Sequence, residues 1–221
     1  MLSKVLLAGG TGFVGRAVLN HLCQGGREVV VCSRAASMDV PDGARFLRVL
    51  DLGVNMDWAF GLGDVEVVIH SAARVHVMND QSSNPLAEFR KVNVEGTLNL
   101  ARQAAAAGVR RFIFVSSIKV NGEGTAPGKS YTADDAPEPM DSYGISKLEA
   151  EQGLRVIAAE TGMAVVIIRP VLVYGPGVKA NFLSMMRWLN KGVPLPFGAI
   201  YNKRSLVALD NLVDLIVTCI D

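Results

Sequence analysis

The sequence has little of what would place it in several broad functional classes. Its three cysteines, Cys23, Cys32 and Cys219, are odd in number and far apart. There is no Cys-x-x-Cys spacing and no histidine pair beside them, so neither a disulfide framework nor a zinc site is indicated. A reducing, cytoplasmic setting fits. No apolar run reaches the ~20 residues that a membrane-spanning helix needs. The opening stretch "MLSKVLLAGG" carries one lysine and a short apolar run broken by glycines, which is too short for the core of a secretory signal. Neither sign of charge is in excess, with 22 Lys and Arg against 21 Asp and Glu. Without a basic patch or a charge run there is no case for nucleic acid or an anionic membrane surface. A small molecule is the expected ligand.

What is present is a regular alternation. The chain has 221 residues, half of them hydrophobic, enough for a sizeable core. Short apolar runs predict strands at Lys4–Ala8, Glu28–Cys32, Arg45–Val49, Val65–His70, Arg111–Ser117 and Val165–Arg169. Helical segments are expected at Phe13–Cys23, Pro85–Ala107, Ser142–Glu160 and Asn181–Lys191, and from Asp210 onward. The strands are nearly continuous apolar runs, as parallel strands buried on both faces require. The spacing implies right-handed βαβ units and a doubly wound parallel α/β sheet. Residues 122–141, rich in glycine, proline and acid, read as a long loop, and long ordered loops tend to be functional. After Pro170 the pattern becomes irregular.

"GGTGFVG", Gly9-Gly10-Thr11-Gly12-Phe13-Val14-Gly15, follows the first strand and opens the first helix. Gly10-x-Gly12-x-x-Gly15 and Gly9-x-x-Gly12-x-x-Gly15 both fit dinucleotide-binding spacings. Such a turn needs glycine for tightness, for close approach to pyrophosphate and for packing helix on strand. The helix N-terminus then presents N–H groups to the anion. The end of the second strand lacks the carboxylate usual for the NAD ribose. Ser33-Arg34 stand there instead, and a guanidinium suits a 2′-phosphate. NADP(H) is therefore favoured, with NAD(H) left open, since Arg34 could equally stack on adenine or face solvent. Asp51-Leu52, after the third strand, are placed for the adenine edge, with an exposed loop aspartate as the competing reading.

Ser116 and Ser117 end the fifth strand at the carboxyl edge of the sheet, where ligands bind in such folds. In "SYGISK", Tyr143 and Lys147 are i and i+4 and share one helix face. Hydride transfer at a carbinol carbon requires proton movement at its oxygen. A tyrosine with an ammonium nearby can supply that movement, and a serine hydroxyl can orient the same oxygen.

With "IHSAA", "NVEGT", "FVSS", "SYGISK" and "RPVLVYGPG" beside the glycine turn, nearly the whole chain resembles the extended short-chain dehydrogenase/reductase family of the NAD-dependent epimerase/dehydratase type. The resemblance is nearest to UDP-sugar 4-epimerases and 4-keto-reductases of bacterial surface polysaccharide synthesis. It implies a Rossmann domain over 1–170 and a partial substrate-binding region over 171–221. It implies a triad of Ser117, Tyr143 and Lys147. It also implies that the His70–Ala73 segment (Ser71, Ala72 and Ala73) and Pro170 lie against the cofactor. Asn93 is implied to support the active-site lysine through water, and Asn181 and Arg204 to meet the nucleotide diphosphate. A UDP-sugar is the implied substrate, and a homodimer is compatible with the resemblance. Family dehydratases carry an Asp-Glu pair where Ile118 and Lys119 stand here, so dehydration is disfavoured. Members of the family typically extend further, so the end of this chain inside a helical pattern at Asp221 reads as a truncation with an incomplete substrate domain. Two alternatives lie outside that reading. One is a non-catalytic NADP-binding regulator, against which the Tyr/Lys pair counts. The other is a reductase of a small non-nucleotide carbonyl compound.

Overall fold

A computed structural model describes residues 2–75, 84–192, 194 and 203–221. Six strands form one sheet: β1 (Val5–Ala8), β2 (Val29–Ser33), β3 (Ala44–Arg48), β4 (Val67–His70), β5 (Arg111–Val115) and β6 (Ala164–Ile168). Their order is β3-β2-β1-β4-β5-β6, and every neighbouring pair is parallel. The chain winds outward from β1 in both directions, so the first crossover reverses between β1 and β4. A crevice opens there at the carboxyl ends of the strands.

Why the strands read as unbroken apolar runs is visible in the packing. Successive side chains point to opposite faces, and both faces are covered. Leu6, Ala8, Val30, Cys32, Val68, Phe112 and Phe114 enter one core. Val5, Leu7, Val29, Val31, Val67, Ile69 and Ile113 enter the other. The four residues of β1 are wholly buried. Each large aliphatic side chain so buried contributes about 1.5–3 kcal/mol.

Helix α1 (Phe13–Gln24) and helix α7 (Leu209–Thr218) cover the second face. The first face is covered by α4 (Thr97–Ala106) and α5 (Ser142–Thr161). Short α2 spans Ala59–Leu62 and α6 spans Ala180–Asn190. The single helix expected over 85–107 is three joined pieces. It starts as α3 (Pro85–Phe89), widens to a π-turn over Arg90–Gly96 and continues as α4. Pro85 opens it as a first-turn residue, with the Asn84 side chain accepting from the Ala87 amide at 3.2 Å.

Beyond Pro170 the irregular pattern conceals a small parallel pair, β7 (Leu172–Tyr174) with β8 (Leu206–Ala208), which the sequence did not signal. From β8 the chain returns to the main sheet in α7. That helix starts at Leu209, one residue before the expected Asp210, with Ala208 at its N-cap. Leu209, Leu212, Val213 and Ile216 are buried along it, with Ile220 just beyond, while Leu215 is 47% exposed.

Candidate active site

The glycine turn is built by close approach. Gly9 has φ +100°, and a Cβ there would lie 2.6 Å from the Ala72 amide nitrogen. A Cβ at Gly15 would lie 2.2 Å from the Gly9 carbonyl oxygen. The turn is closed by Gly12 N–H donating to Gly9 O at 3.0 Å. No side chain caps α1, so the N–H groups of its first turn stay open to an anionic group. This exposed helix end, beside glycines that leave no side chain in the way, fits a dinucleotide pyrophosphate. Gly10 serves packing instead. Its Cβ would lie 2.1 Å from a Val31 methyl, so it faces β2 and the core.

A cleft of about 480 Å³ runs from this turn to the α5 tyrosine. Thr11, Gly12, Phe13 and Val14 form its near wall. At one end Ser33 and Arg34 line it with Leu52. Ser33 Oγ shares a 3.1 Å hydrogen bond with Thr11 Oγ1 and accepts from the Ala35 amide at 3.2 Å, while Arg34 is exposed at the rim. Asp51 is exposed and does not line the cleft; its carboxylate accepts from the Gly53 amide in a local turn. Of the Asp51-Leu52 pair, only Leu52 faces the site.

The opposite wall is the segment after β4. Ser71, Ala72 and Ala73 line the cleft as the resemblance implies, and Ser71 Oγ donates to Ala8 O at 3.0 Å. His70 does not face the cleft. It is buried beside Phe112 and Phe114 with Nε2 2.9 Å from Thr97 Oγ1. Burial, with Lys147 nearby, lowers its pKa to about 3, so the ring is neutral. Asn93, in the π-turn, stands behind the wall. Its Oδ1 accepts from the Arg74 amide at 2.7 Å, and its Nδ2 donates to Arg74 O and to Ser146 Oγ, both at 3.0 Å. It thus ties the wall to α5. π-turns recur at functional sites for this kind of local re-aiming.

Ser117, Tyr143 and Lys147 meet at the far end of the cleft, with Pro170 alongside. The side chain of Asp141 accepts from the Gly144 amide at 2.7 Å and starts α5, which aims Tyr143 at the end of β5. The Ser117 hydroxyl faces Tyr143 across the cleft end and favours its ionised form. Burial first, and then the Asp141 charge, push the Tyr143 pKa up to about 12, against the lowering effect of the Ser117 hydroxyl. Lys147 is 1% exposed. Its Nζ donates to Val115 O at 2.8 Å and lies 4.3 Å from the Phe114 ring centre. Burial lowers its pKa to about 7, partly offset by the Glu151 carboxylate. The lysine is thus poised near neutrality.

Behind the triad lies a polar group that sequence patterns do not connect. Ser116, Glu151, Asn121 and Arg169 form one connected network there. The available signal was Glu151, one turn beyond Lys147 on the same helix face. Arg204 is exposed ahead of β8 and does not line the cleft. Asn181 lies in the first turn of α6, and its side chain is outside the described residues. Among the described residues no cluster of His, Cys, Asp and Glu could hold a metal ion, and no helix is long and apolar enough to cross a membrane.

The chain matches the model of the NAD dependent epimerase/dehydratase family over residues 5–221. It is 51% identical over 222 residues to a UDP-glucose 4-epimerase of Vibrio cholerae, taking in 100% of this chain and 67% of that protein. It is 31% identical to a solved chain, MoeE5 in complex with UDP-glucose and NAD, with a TM-score of 0.78 over 97% of this chain and 70% of that one. A UDP-glucose 4-epimerase of Thermotoga maritima, solved with UDP-glucose, is 27% identical, with a TM-score of 0.80 over 98% of this chain and 72% of that one. The chain thus spans about two thirds of the Vibrio relative, and only 40% and 52% of two further relatives.

Proposed function

This chain belongs to the NAD dependent epimerase/dehydratase family, and on that premise we propose that it is an NAD(H)-dependent UDP-sugar 4-epimerase. One observation carries the reading: Ser117, Tyr143 and Lys147 converge at one end of a cleft whose other walls are a glycine turn and an uncapped helix end. The absence of a carboxylate at Ile118 and Lys119 supports chemistry without elimination of water. The likeness to UDP-glucose 4-epimerases supports the substrate class.

In this reading the glycine turn and the first turn of α1 hold the pyrophosphate, Leu52 and Ser33 take the adenosine end, and Ser71–Ala73 back the nicotinamide end. The bound nicotinamide supplies the acceptor, and later the donor, of a hydride at the sugar C4. The Ser117 hydroxyl holds the oxygen on C4. Tyr143 removes the proton from that oxygen and gives it back after the sugar has turned its other face. Burial gives Tyr143 a pKa of about 12, so it cannot act as a base near neutral pH until positive charge collects beside it. Lys147 is the protein's own source of that charge. Arg204 is proposed to meet the diphosphate from the β7–β8 side.

The guanidinium of Arg34 favoured NADP(H) on sequence, but the neighbouring structure with NAD favours NAD(H), and Arg34 at the rim is free to stack on adenine. The test is proton NMR of UDP-glucose incubated with the protein and no added reductant. Appearance of the C4 epimer is expected. No epimer from UDP-glucose, with NADPH consumed only when a UDP-4-keto-sugar is supplied, would instead make the protein a 4-keto-reductase.

A further inference from the structure

We propose that Glu151 is a positioning residue for proton transfer: its buried carboxylate locks the ends of β5 and β6 onto the turn of α5 that carries Lys147. The inference rests on the reading of Tyr143 and Lys147 as the proton-transfer pair. Tyr143, Lys147 and Glu151 lie at i, i+4 and i+8, one stripe of α5 facing the sheet. Glu151 is 1% exposed, and each of its oxygens is engaged. Oε1 accepts from Ser116 Oγ at 2.5 Å and from Arg169 Nε at 3.0 Å. Oε2 accepts from Arg169 Nη2 at 2.6 Å and Nε at 3.2 Å.

Each partner sits next to a residue of the site. Ser116 lies between Val115, whose carbonyl receives Lys147 Nζ, and Ser117, which lines the cleft with Tyr143. Arg169 precedes Pro170, a wall of the cleft. Through Nη1 it also donates to Asn121 Oδ1 at 3.1 Å, and Asn121 Nδ2 donates to Thr132 O at 3.3 Å. One carboxylate therefore reaches both strand ends, the helix and the 122–141 loop.

The groups facing Lys147 are few. They are Glu151 and Tyr143 on its own helix, neutral His70 from β4 and the Val115 carbonyl from β5; Arg169, after β6, reaches it only through Glu151. Among the described residues, Glu151 is the anion that raises the lysine's pKa.

The test titrates Lys147 directly, by NMR of isotope-labelled lysine in the cofactor-free chain, with wild type beside Glu151→Gln. The wild-type midpoint is expected at about 7, and Glu151→Gln should lower it by about one pH unit or more. Turnover by Glu151→Gln should fall by roughly ten- to a hundredfold with KM little changed, and its alkaline limb should move to lower pH. Glu151→Asp, which keeps the charge and shortens the reach, should restore the midpoint but not the turnover. If Glu151→Gln does not fold, the double variant Glu151→Gln/Arg169→Met leaves no unpaired buried cation and takes its place. A lysine midpoint and a turnover both unchanged would overturn the proposal. An inactive wild type would count against the epimerase reading, while the lysine titration in the same sample would still decide the role of Glu151.

Discussion

Lys147 is held in the one environment where a lysine can lose its proton near neutral pH, and that has a consequence for stability. Its folded pKa is about 7 against an ordinary 10.5. Between those values the unfolded chain binds more protons than the folded one, so stability rises with pH across that window. Below about pH 7 the cost of burying the ammonium is fully present. Lys147→Met removes that cost. The variant should gain most in melting temperature relative to wild type near pH 6, and the difference should shrink as pH climbs from about 7 towards 10.5. Thermal melts across that range, read by circular dichroism, check the slope. Tyr143 acts in the opposite sense, but only above its ordinary pKa of 10.0, so it touches only the top of that window. Chemically, Tyr143→Phe keeps the ring against Phe89 and removes the hydroxyl proposed to move the proton. Turnover should drop by roughly 10²–10⁴-fold while NAD binding by calorimetry stays nearly intact. Loss of both together would show that the hydroxyl holds the cofactor instead.

At the scale of elements, the cleft depends on how tightly neighbouring segments approach. The π-turn and α4 touch the loop after β3 at Gly96, where a Cβ would lie 1.6 Å from the Leu52 carbonyl oxygen. That atom belongs to backbone, so it cannot swing away like a side chain. Gly96→Ala should therefore cost about 1–3 kcal/mol or more in stability and displace Leu52, which lines the Ser33–Arg34 end of the cleft. Denaturant unfolding and NAD titration on the same variant should show both losses. Lost stability with unchanged NAD affinity would mean that Leu52 is not a contact. The Glu151–Arg169 pair works at the same scale. Breaking a buried pair by removing one partner costs about 3–5 kcal/mol, because the other charge is left uncompensated, which is why the double variant is needed to separate folding from proton transfer.

For the whole molecule the deciding question is which dinucleotide the cleft retains. A ligand that binds only the folded state stabilises by RT ln(1 + [L]/Kd), about 2.7 kcal/mol at a hundred times Kd. For a chain of this size that is roughly 5–11 °C in melting temperature. NAD should produce such a rise and NADP a smaller one at equal concentration. An inverted order would restore the 2′-phosphate role of Arg34. Calorimetry with UDP-glucose, in the presence of NAD, then asks whether these 221 residues hold the sugar nucleotide.

The sequence by itself determined the sheet, the glycine turn and the Ser117, Tyr143 and Lys147 set. These are local properties: apolar runs fix buried strands, glycine spacing fixes a turn that admits no Cβ, and an i, i+4 pair fixes a shared helix face. Only the tertiary structure decided the rest. Gly10 proved to face Val31, Asp51 to close its own turn, and Asn93 to brace a wall, because which side of a turn or helix meets the cleft depends on what packs behind it. The β7–β8 pair and the return of α7 to the sheet join residues that no periodicity connects. The same holds for Ser116, Glu151, Asn121 and Arg169. They read as ordinary polar residues along the chain, and only folding brings them out of water together. Once buried, their charges must be partnered with one another and set the electrostatics of the lysine beside them.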